Sequence, residues 1–175
     1  MASILIVYST VDGHTLTICR RLQESIEGSG HAVRLVPIGQ AGAGDLQACD
    51  KVVVGASIRY GKHRPNVHAF VNEHAAELER KPSAFFTVNI VARKPTKDRP
   101  ATNPYLRKFL TQVRWRPKEL DVFAGRLDYP RYGFFDRQMI RLIMLITSGP
   151  TDPSTVVEFT DWARVEAFAR RVCEI

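Results

Sequence analysis

Short apolar runs rich in β-branched residues alternate along the chain with stretches whose apolar residues recur at helical spacing. This alternation predicts parallel strands joined by helices, because each connection between parallel strands must cross back along the sheet. The run Lys51–Ala56 is apolar throughout, as expected for a strand that is covered on both faces. We therefore predict an α/β fold with a five-stranded parallel sheet, formed by Ser3–Tyr8, Ala32–Val36, Lys51–Ala56, Ser83–Ile90 and Asp121–Leu127.

The chain has 175 residues, which suits one ordinary domain over residues 1–175. The first helix follows the first strand, and later helices are expected to begin at Pro65, after Asn103, and after Thr160 or Asp161. Two segments exceed the connections that such a fold needs. They are the basic loop Arg93–Pro100 and an insertion at about residues 128–150, after the fifth strand.

Residues 134–147 of the insertion are expected to form a helix with a wide apolar sector, on which Phe135, Met139 and Leu142 share one face. Arg137 and Arg141 lie one turn apart on another face. The apolar sector fits the core, a substrate or a second subunit, and the last would make the protein a homo-oligomer. Alternatively, the helix lies on an anionic membrane with its arginines at the headgroups.

Positive charge is concentrated in one part of the sequence. The chain carries 25 Lys and Arg against 18 Asp and Glu, a formal net charge of +7, and residues 92–144 alone hold 13 basic and 5 acidic side chains. A basic region of this kind attracts nucleic acid, an anionic membrane, or a ligand with carboxylate or phosphate groups. A solvated surface without any acidic partner explains the charge equally well.

The loop between the first strand and the first helix is rich in hydroxyl groups, from Ser9, Thr10 and Thr15, and contains Gly13. A helix N-terminus at the carboxyl edge of a parallel sheet is a favourable site for a phosphate group. The loop lacks GxxxxGK[ST] and GxGxxG, which favours flavin mononucleotide (FMN) over nucleoside triphosphates and dinucleotides. A simple helix cap remains the alternative. Three scattered cysteines without a CxxC pair encode no metal site.

The sequence resembles the flavodoxin family and, within it, the quinone-dependent enzymes that oxidise protoporphyrinogen IX in bacterial haem synthesis. The loop STVDGHT is general to flavodoxins, whereas the other motifs together are specific to the oxidases. The motifs are STVDGHT (9–15), VVVGASIRYGKHR (52–64), SAFFTVNIVARKP (83–95), LRKFL and WRP (106–117), AGRLDYPRY (124–132), DRQMIRLIM (136–144) and FTDW (159–162).

The resemblance implies a three-layer sandwich with strand order 2-1-3-4-5 and a non-covalently bound FMN. Tyr60 is expected to stack on the flavin, and Asp12, which replaces a usual threonine, to cap the first helix rather than touch the phosphate. The implied FMN-binding residues come from three loops. They are Ser9, Thr10, Asp12, Gly13, His14 and Thr15; Ser57, Ile58, Arg59, Tyr60 and Gly61; and Asn89, Ile90, Val91, Ala92, Arg93 and Lys94.

The substrate implied by the resemblance, protoporphyrinogen IX, carries two propionates, which arginine suits well. Basic side chains near the flavin are also expected to stabilise its reduced form. The expected substrate-binding residues are Arg59, Lys62, Arg64, Arg93, Arg131 and Tyr132. No catalytic base is firmly indicated, and His63 is a candidate because histidine titrates near neutrality.

The implied reaction transfers electrons from protoporphyrinogen IX through FMN to menaquinone or ubiquinone, at the cytoplasmic face of the inner membrane, with the protein bound peripherally. Two alternatives keep FMN: a flavodoxin-like electron carrier and an NAD(P)H:quinone reductase. The acidic docking face of a carrier is missing from the basic loops. A third alternative is a binding module without redox chemistry, although no nucleic-acid partner is expected.

Overall fold

The apolar runs form one central sheet in the computed structural model, which describes residues 1–175. Its parallel strands follow the order β2-β1-β3-β5-β6, which corresponds to the predicted 2-1-3-4-5. A sixth, short strand, β4, pairs antiparallel with β3 and was not predicted. The strands are β1 (Ser3–Ser9), β2 (Ala32–Pro37), β3 (Lys51–Arg59), β4 (Lys62–His63), β5 (Ser83–Asn89) and β6 (Glu119–Ala124).

Helices cover both faces of the sheet, because side chains of a strand alternate between its faces and these strands are apolar on both. Leu5, Val54 and Phe85 lie in the core on one face, and Ile6, Val53 and Phe86 lie in the core on the other. The predicted three layers are therefore confirmed. The helices are α1 (His14–Gly28), α2 (Ala43–Gln47), α3 (Pro65–Glu73), α4 (Ala75–Arg80), α5 (Pro104–Gln112), α6 (Phe134–Ile146) and α7 (Trp162–Glu174).

Side-chain caps explain where α5 and α7 begin. The Asn103 side chain accepts hydrogen bonds from the first amides of α5, and the Asp161 side chain accepts one from the Arg164 amide of α7. Pro65 begins α3 as predicted, and this helix ends at Glu73. It breaks at His74, and α4 is a separate short helix.

The fifth parallel strand differs from its prediction. It ends at Ala124 rather than Leu127, because its pairing with β5 ends at Asn89 opposite Ala124. The following residues instead form β7 (Arg126–Asp128), which pairs antiparallel with β8 (Val156–Glu158) in a second, two-stranded sheet. The insertion therefore leaves and returns through this small sheet, which fixes both of its ends.

The insertion has a small core of its own. After β7, a single 3-10 turn leads to α6, and Leu127, Tyr129, Tyr132 and Met144 pack together. The Tyr129 hydroxyl donates a hydrogen bond to the Pro150 carbonyl at 2.7 Å, which joins the two ends of the segment. None of the helices has both the length and the apolar content that crossing a bilayer requires.

Candidate functional site

A cleft of about 820 Å³ lies at the carboxyl edge of the sheet, between the loops that follow β1, β3, β5 and β6. This is where open parallel sheets generally bind ligands. Ile140, Ile143 and Met144 of α6 complete the lining. The insertion therefore forms one wall of the site. These three residues are not among the site residues expected from the sequence.

The loop between β1 and α1 leaves the N-terminus of α1 free of side-chain caps. Gly13 has a φ of 86°, in the left-handed region, and its amide donates a hydrogen bond to Thr10 Oγ1 at 3.0 Å. Thr15 Oγ1 is buried and has no hydrogen-bond partner. Since a buried polar atom normally has a partner, and since free helix amides attract anions, this loop fits an anionic group such as phosphate.

His14 begins α1 and contributes to the cleft as an uncharged group. Its Nε2 lies 2.7 Å from Thr160 Oγ1, and the Thr160 hydroxyl donates to the Ala124 carbonyl at 2.7 Å. Because the hydroxyl proton is already used, Nε2 is the nitrogen that carries the imidazole proton. Burial lowers the pKa of His14, so the ring is neutral near pH 7. The amides of α1, rather than a cationic imidazole, are therefore the donors available to an anion.

Arg59 joins the β1–α1 loop to the insertion. Its guanidinium group contacts the carboxylates of Asp12 at 2.8 Å and Asp136 at 2.6 Å. It also lies between two aromatic rings, 5.5 Å from the Tyr60 centroid and 5.6 Å from the Tyr132 centroid. The prediction that Asp12 caps α1 is therefore wrong, since its carboxylate binds Arg59 instead. Two carboxylates therefore offset the positive charge of Arg59 at the cleft.

Tyr60 and Gly61 form the tight turn between β3 and β4. Both have positive φ, 49° and 77°, as the two central residues of a type I′ hairpin do. The turn places Tyr60 at the rim of the cleft, with its side chain 46% exposed. Its hydroxyl donates a hydrogen bond to Asp136, so the turn is joined to the first turn of α6. An aromatic ring at this position can stack on a planar ligand.

Asn89, at the end of β5, supplies a second unpartnered group. Its Oδ1 accepts hydrogen bonds from the Ala92 amide at 3.0 Å and from the Asn103 side chain at 3.3 Å. Its Nδ2 is buried and has no partner, although the residue lines the cleft. A ligand with an acceptor group in this part of the cleft would satisfy that amide.

Arg93 stabilises the insertion rather than opening to the cleft. It donates hydrogen bonds to the Ile90 carbonyl at 3.1 Å and to the Thr147 carbonyl at 2.8 Å. Burial lowers its pKa from the usual value. The geometry therefore gives no support to the predicted role of Arg93 in binding substrate, because its guanidinium holds the C-terminal end of α6 and the residue does not line the cleft.

The cleft brings together most of the FMN-binding residues implied by the resemblance. Ser9, Gly13, Ala92, Arg93 and Lys94 do not line it, and neither do Lys62, Arg64 and Arg131 of the expected substrate set. Residues of the lining that the sequence did not indicate are Val88, Tyr105, Gly125, Arg126, Ile140, Ile143 and Met144. Only the helical apolar pattern of residues 134–147 could have indicated the last three.

His63 lies outside the cleft. Its side chain is buried against Phe109, with ring centroids 4.7 Å apart, and Nε2 lies 3.1 Å from the Thr87 hydroxyl. Burial is the main cause that lowers its pKa to about 3. A neutral, buried imidazole that does not face the cleft is not placed to take a proton from a ligand there, so the geometry gives no support to His63 as a catalytic base.

Known proteins resemble the chain over nearly its full length. A family model described as "Flavodoxin domain" matches residues 5–154. "Protoporphyrinogen IX dehydrogenase (quinone)" of Escherichia coli strain K12 is 43% identical over 171 residues, which is 98% of this chain and 94% of that protein. The protein of the same name from Leishmania major is 45% identical over 166 residues, which is 94% of this chain and 72% of that protein.

Solved structures share the fold at low sequence identity. Oxidised flavodoxin 1 from Bacillus cereus superposes with a TM-score of 0.58 and 13% identity, covering 98% of this chain and 97% of that chain. Oxidised flavodoxin 2 from the same organism superposes with a TM-score of 0.56 and 19% identity, covering 99% of each chain. At this identity the likeness concerns the fold alone.

Proposed function

Because the chain belongs to the flavodoxin domain family, we propose that it is an FMN-dependent enzyme that oxidises protoporphyrinogen IX to protoporphyrin IX with a quinone as electron acceptor, in haem biosynthesis. The observation that carries the proposal is the identity of 43% over nearly the whole chain to a protein named for this activity. Two features of the cleft, its unpartnered polar groups and its apolar wall, support it.

The residues of the cleft fit FMN. Its phosphate group needs donors, which the N-terminus of α1 and the unpartnered Thr15 hydroxyl supply. Its ring carries acceptor atoms along one edge and has two apolar faces, which suit the unpartnered Asn89 amide and the Tyr60 ring. These groups lie on three loops of one cleft, and no covalent attachment is needed.

Bound FMN supplies a two-electron acceptor that can be reoxidised, and the protein supplies binding and orientation. Full oxidation of one protoporphyrinogen removes six electrons and six protons, so three quinones are reduced to quinols. Ile140, Ile143 and Met144 form an apolar wall, which excludes water from that side of the cleft. The carboxylates of Asp12 and Asp136 are held by Arg59, and we assign no catalytic base.

The charges beside the cleft differ from those expected for an enzyme that stabilises reduced flavin by nearby cations. Arg59 faces two carboxylates, and Arg126 is paired with Asp128 at 2.9 Å. Both arginines that line the cleft are therefore paired with carboxylates, and positioning of the macrocycle is the larger contribution that the chain makes.

The outer face of α6 supports peripheral attachment to the cytoplasmic face of the inner membrane. Phe134, Phe135, Leu145 and Ile146 are 70%, 82%, 68% and 73% exposed, while the opposite side of α6 lines the cleft. A lipid-soluble quinone, menaquinone or ubiquinone, would then reach the cleft from the surface on which α6 lies. We propose this contact with anionic lipid as the function of the insertion.

The basic side chains of α6 fit that attachment. Arg137 donates to the Tyr132 carbonyl at 3.2 Å, and Arg141 donates to the Thr151 carbonyl at 2.9 Å. Neither makes an ion pair with a carboxylate, so both positive charges remain available to lipid phosphates. A second copy of the chain on the same apolar face is the competing arrangement, and it would make the protein a homo-oligomer.

The direct test is anaerobic turnover by the purified, FMN-loaded protein with protoporphyrinogen IX and a quinone as the only acceptor. We expect porphyrin fluorescence to rise faster than in a control with free FMN and quinone. No rise above that control would refute the enzymatic proposal. Rapid NADPH oxidation by quinone, without porphyrin formation, would identify an NAD(P)H:quinone reductase instead. The absence of both reactions would indicate an electron carrier.

A further inference from the structure

A second pocket of about 790 Å³ adjoins the cleft on the other side of the β3–β4 turn. Gly61 and Tyr105 line both cavities, so these two residues form the wall between them. A β-carbon added to Gly61 would lie 3.6 Å from the Tyr105 ring, which shows how closely the two meet. The residues that line the second pocket include Lys62, His68, Lys108 and Gln112, which bring polar groups to a largely apolar surface.

The two lysines of the second pocket are unpaired cations. No carboxylate lies within 4.0 Å of the ammonium group of Lys62 or Lys108, and both residues are exposed. The arginines around the cleft differ in this respect. Arg59 binds two carboxylates, and Arg64 donates to the Thr10 carbonyl at 3.2 Å. Lys62 and Lys108 are therefore cations beside the cleft whose ammonium groups have neither an ion pair nor a hydrogen bond within the protein.

The side of the pocket formed by the histidines packs on the core and is uncharged. The His63 and His68 rings lie 4.7 and 5.1 Å from the Phe109 ring, which is itself buried in the core. Burial lowers the pKa of both imidazoles, so neither adds positive charge near pH 7. The lysines project from β4 and α5 around this surface, and the pocket therefore presents two cations and neutral donors on regular elements.

We propose that the second pocket binds the carboxylates of the propionate side chains of the substrate. This inference rests on the proposed function, which makes the ligand a tetrapyrrole with two propionates on neighbouring rings. The macrocycle would lie against the bound flavin at the mouth of the cleft, and the propionates would pass the Gly61 wall to reach Lys62 and Lys108. Of the substrate-binding residues expected from the sequence, Lys62 alone belongs to this pocket, and His68, Lys108 and Gln112 are added to it.

The test compares binding of protoporphyrin IX with binding of its dimethyl ester, which keeps the ring and loses both charges. Dissociation constants would be measured from flavin fluorescence of the FMN-loaded protein. We expect the native protein to bind the free acid about tenfold more tightly than the ester, as two partly exposed ion pairs allow. The double variant Lys62→Gln, Lys108→Gln should lose most of this preference.

Lys118→Gln is the matched control, because Lys118 is exposed and precedes β6, at the opposite edge of the sheet from the cleft. It should retain the full preference for the free acid. Flavin content and the unfolding midpoint of each variant would verify that it is folded and loaded.

Three results would overturn the proposal. They are equal binding of acid and ester by the native protein, an unchanged preference in the double variant, and an equal loss in Lys118→Gln. Failure of the proposed function gives a different pattern: no protoporphyrinogen is oxidised, while the charge-dependent binding persists. If the protein oxidises protoporphyrinogen but binds acid and ester equally well, only the proposed role of the second pocket is refuted.

Discussion

Thr15 Oγ1, in the first turn of α1, and Asn89 Nδ2, at the end of β5, are buried polar atoms without partners in the same cleft. A buried hydroxyl or amide that lacks a hydrogen bond carries a desolvation penalty, which a ligand removes when it binds. The penalty makes the ligand-free protein less stable at these positions, and it adds to the affinity for a ligand whose acceptor atoms reach them.

Thr15→Val removes the unpartnered hydroxyl and keeps the shape of the side chain. We expect the free energy of unfolding of the FMN-free protein to stay the same or rise by less than about 1 kcal/mol, since no hydrogen bond is lost. The dissociation constant for FMN should rise about tenfold, as measured by fluorescence titration. Thr17→Val, on the exposed side of the same helix, should leave the affinity unchanged. Unaltered FMN affinity in Thr15→Val would contradict this role.

His63 gives the stability of the protein a specific pH dependence. Its pKa in the folded protein is about 3, below the ordinary value of 6.5, so protons bind the unfolded chain more readily. The stability that the neutral His63 ring contributes is therefore intact above about pH 6.5, and it is lost as the pH falls from there toward 3. At pH 5 the loss is about 2 kcal/mol relative to pH 7.

His63→Gln can keep a hydrogen bond to Thr87 but cannot take up a proton. We expect the decrease in the free energy of unfolding between about pH 7 and pH 5 to be about 2 kcal/mol smaller than in the native protein, as measured by urea denaturation. Equal decreases in the two proteins would mean that another group controls the acid sensitivity.

Helix α6 is held over the cleft at both ends. At its N-terminal end, Asp136 accepts hydrogen bonds from Arg59 at 2.6 Å and from the Tyr60 hydroxyl. At its C-terminal end, Thr147 accepts from Arg93 at 2.8 Å. Arg59 also binds Asp12 of the β1–α1 loop, so the position of α6 is coupled to the loop that would hold the phosphate.

Asp136→Asn removes the charge that holds the N-terminal end of α6. We expect FMN to dissociate about threefold to tenfold faster in stopped-flow experiments, because this wall of the cleft opens more often. Amide hydrogen exchange in α6 should be faster as well. Asp152→Asn is the matched control, since that carboxylate follows α6 and accepts hydrogen bonds from Ser154 alone. Equal dissociation rates in the two variants would show that Asp136 does not restrain α6.

The molecule as a whole presents its apolar surface unevenly. Phe134, Phe135, Met139, Leu142, Leu145 and Ile146 of α6 are all exposed, and the same part of the chain carries most of the excess positive charge. An apolar face next to uncompensated arginines matches an anionic membrane interface better than it matches water.

Phe135→Ser with Leu145→Ser reduces the apolar face and leaves every arginine in place. We expect the double variant to bind vesicles containing anionic lipid at least about tenfold more weakly in sedimentation assays, while its FMN content stays the same. Binding of the native protein should weaken at high salt and on neutral vesicles. The exposed Val156, on β8, provides the control Val156→Ser. Undiminished vesicle binding, with dissociation of a native dimer, would assign this face to a second subunit.

The sequence by itself determined the features that depend on neighbouring residues. Alternating apolar runs fixed the parallel strands, and Asn103 and Asp161 fixed helix starts because a cap bonds to amides two or three residues away. The hydroxyl-rich loop before α1 indicated a site for a phosphate group, because its side chains and the first amides of the helix are also close in sequence. The resemblance to a family then supplied the strand order and most of the cleft, and the order of the parallel strands is confirmed.

Only the tertiary structure decided which groups were already occupied. Arg59 meets a carboxylate 77 positions away, and Arg93 meets a carbonyl 54 positions away, so no local pattern could show that these cations were committed. The burial of His63 depends on Phe109 and Thr87, which come from other elements. The end of β6 at Ala124 depends on where its partner strand ends. Pairing between distant segments follows from packing of the whole chain, and sequence spacing does not encode it.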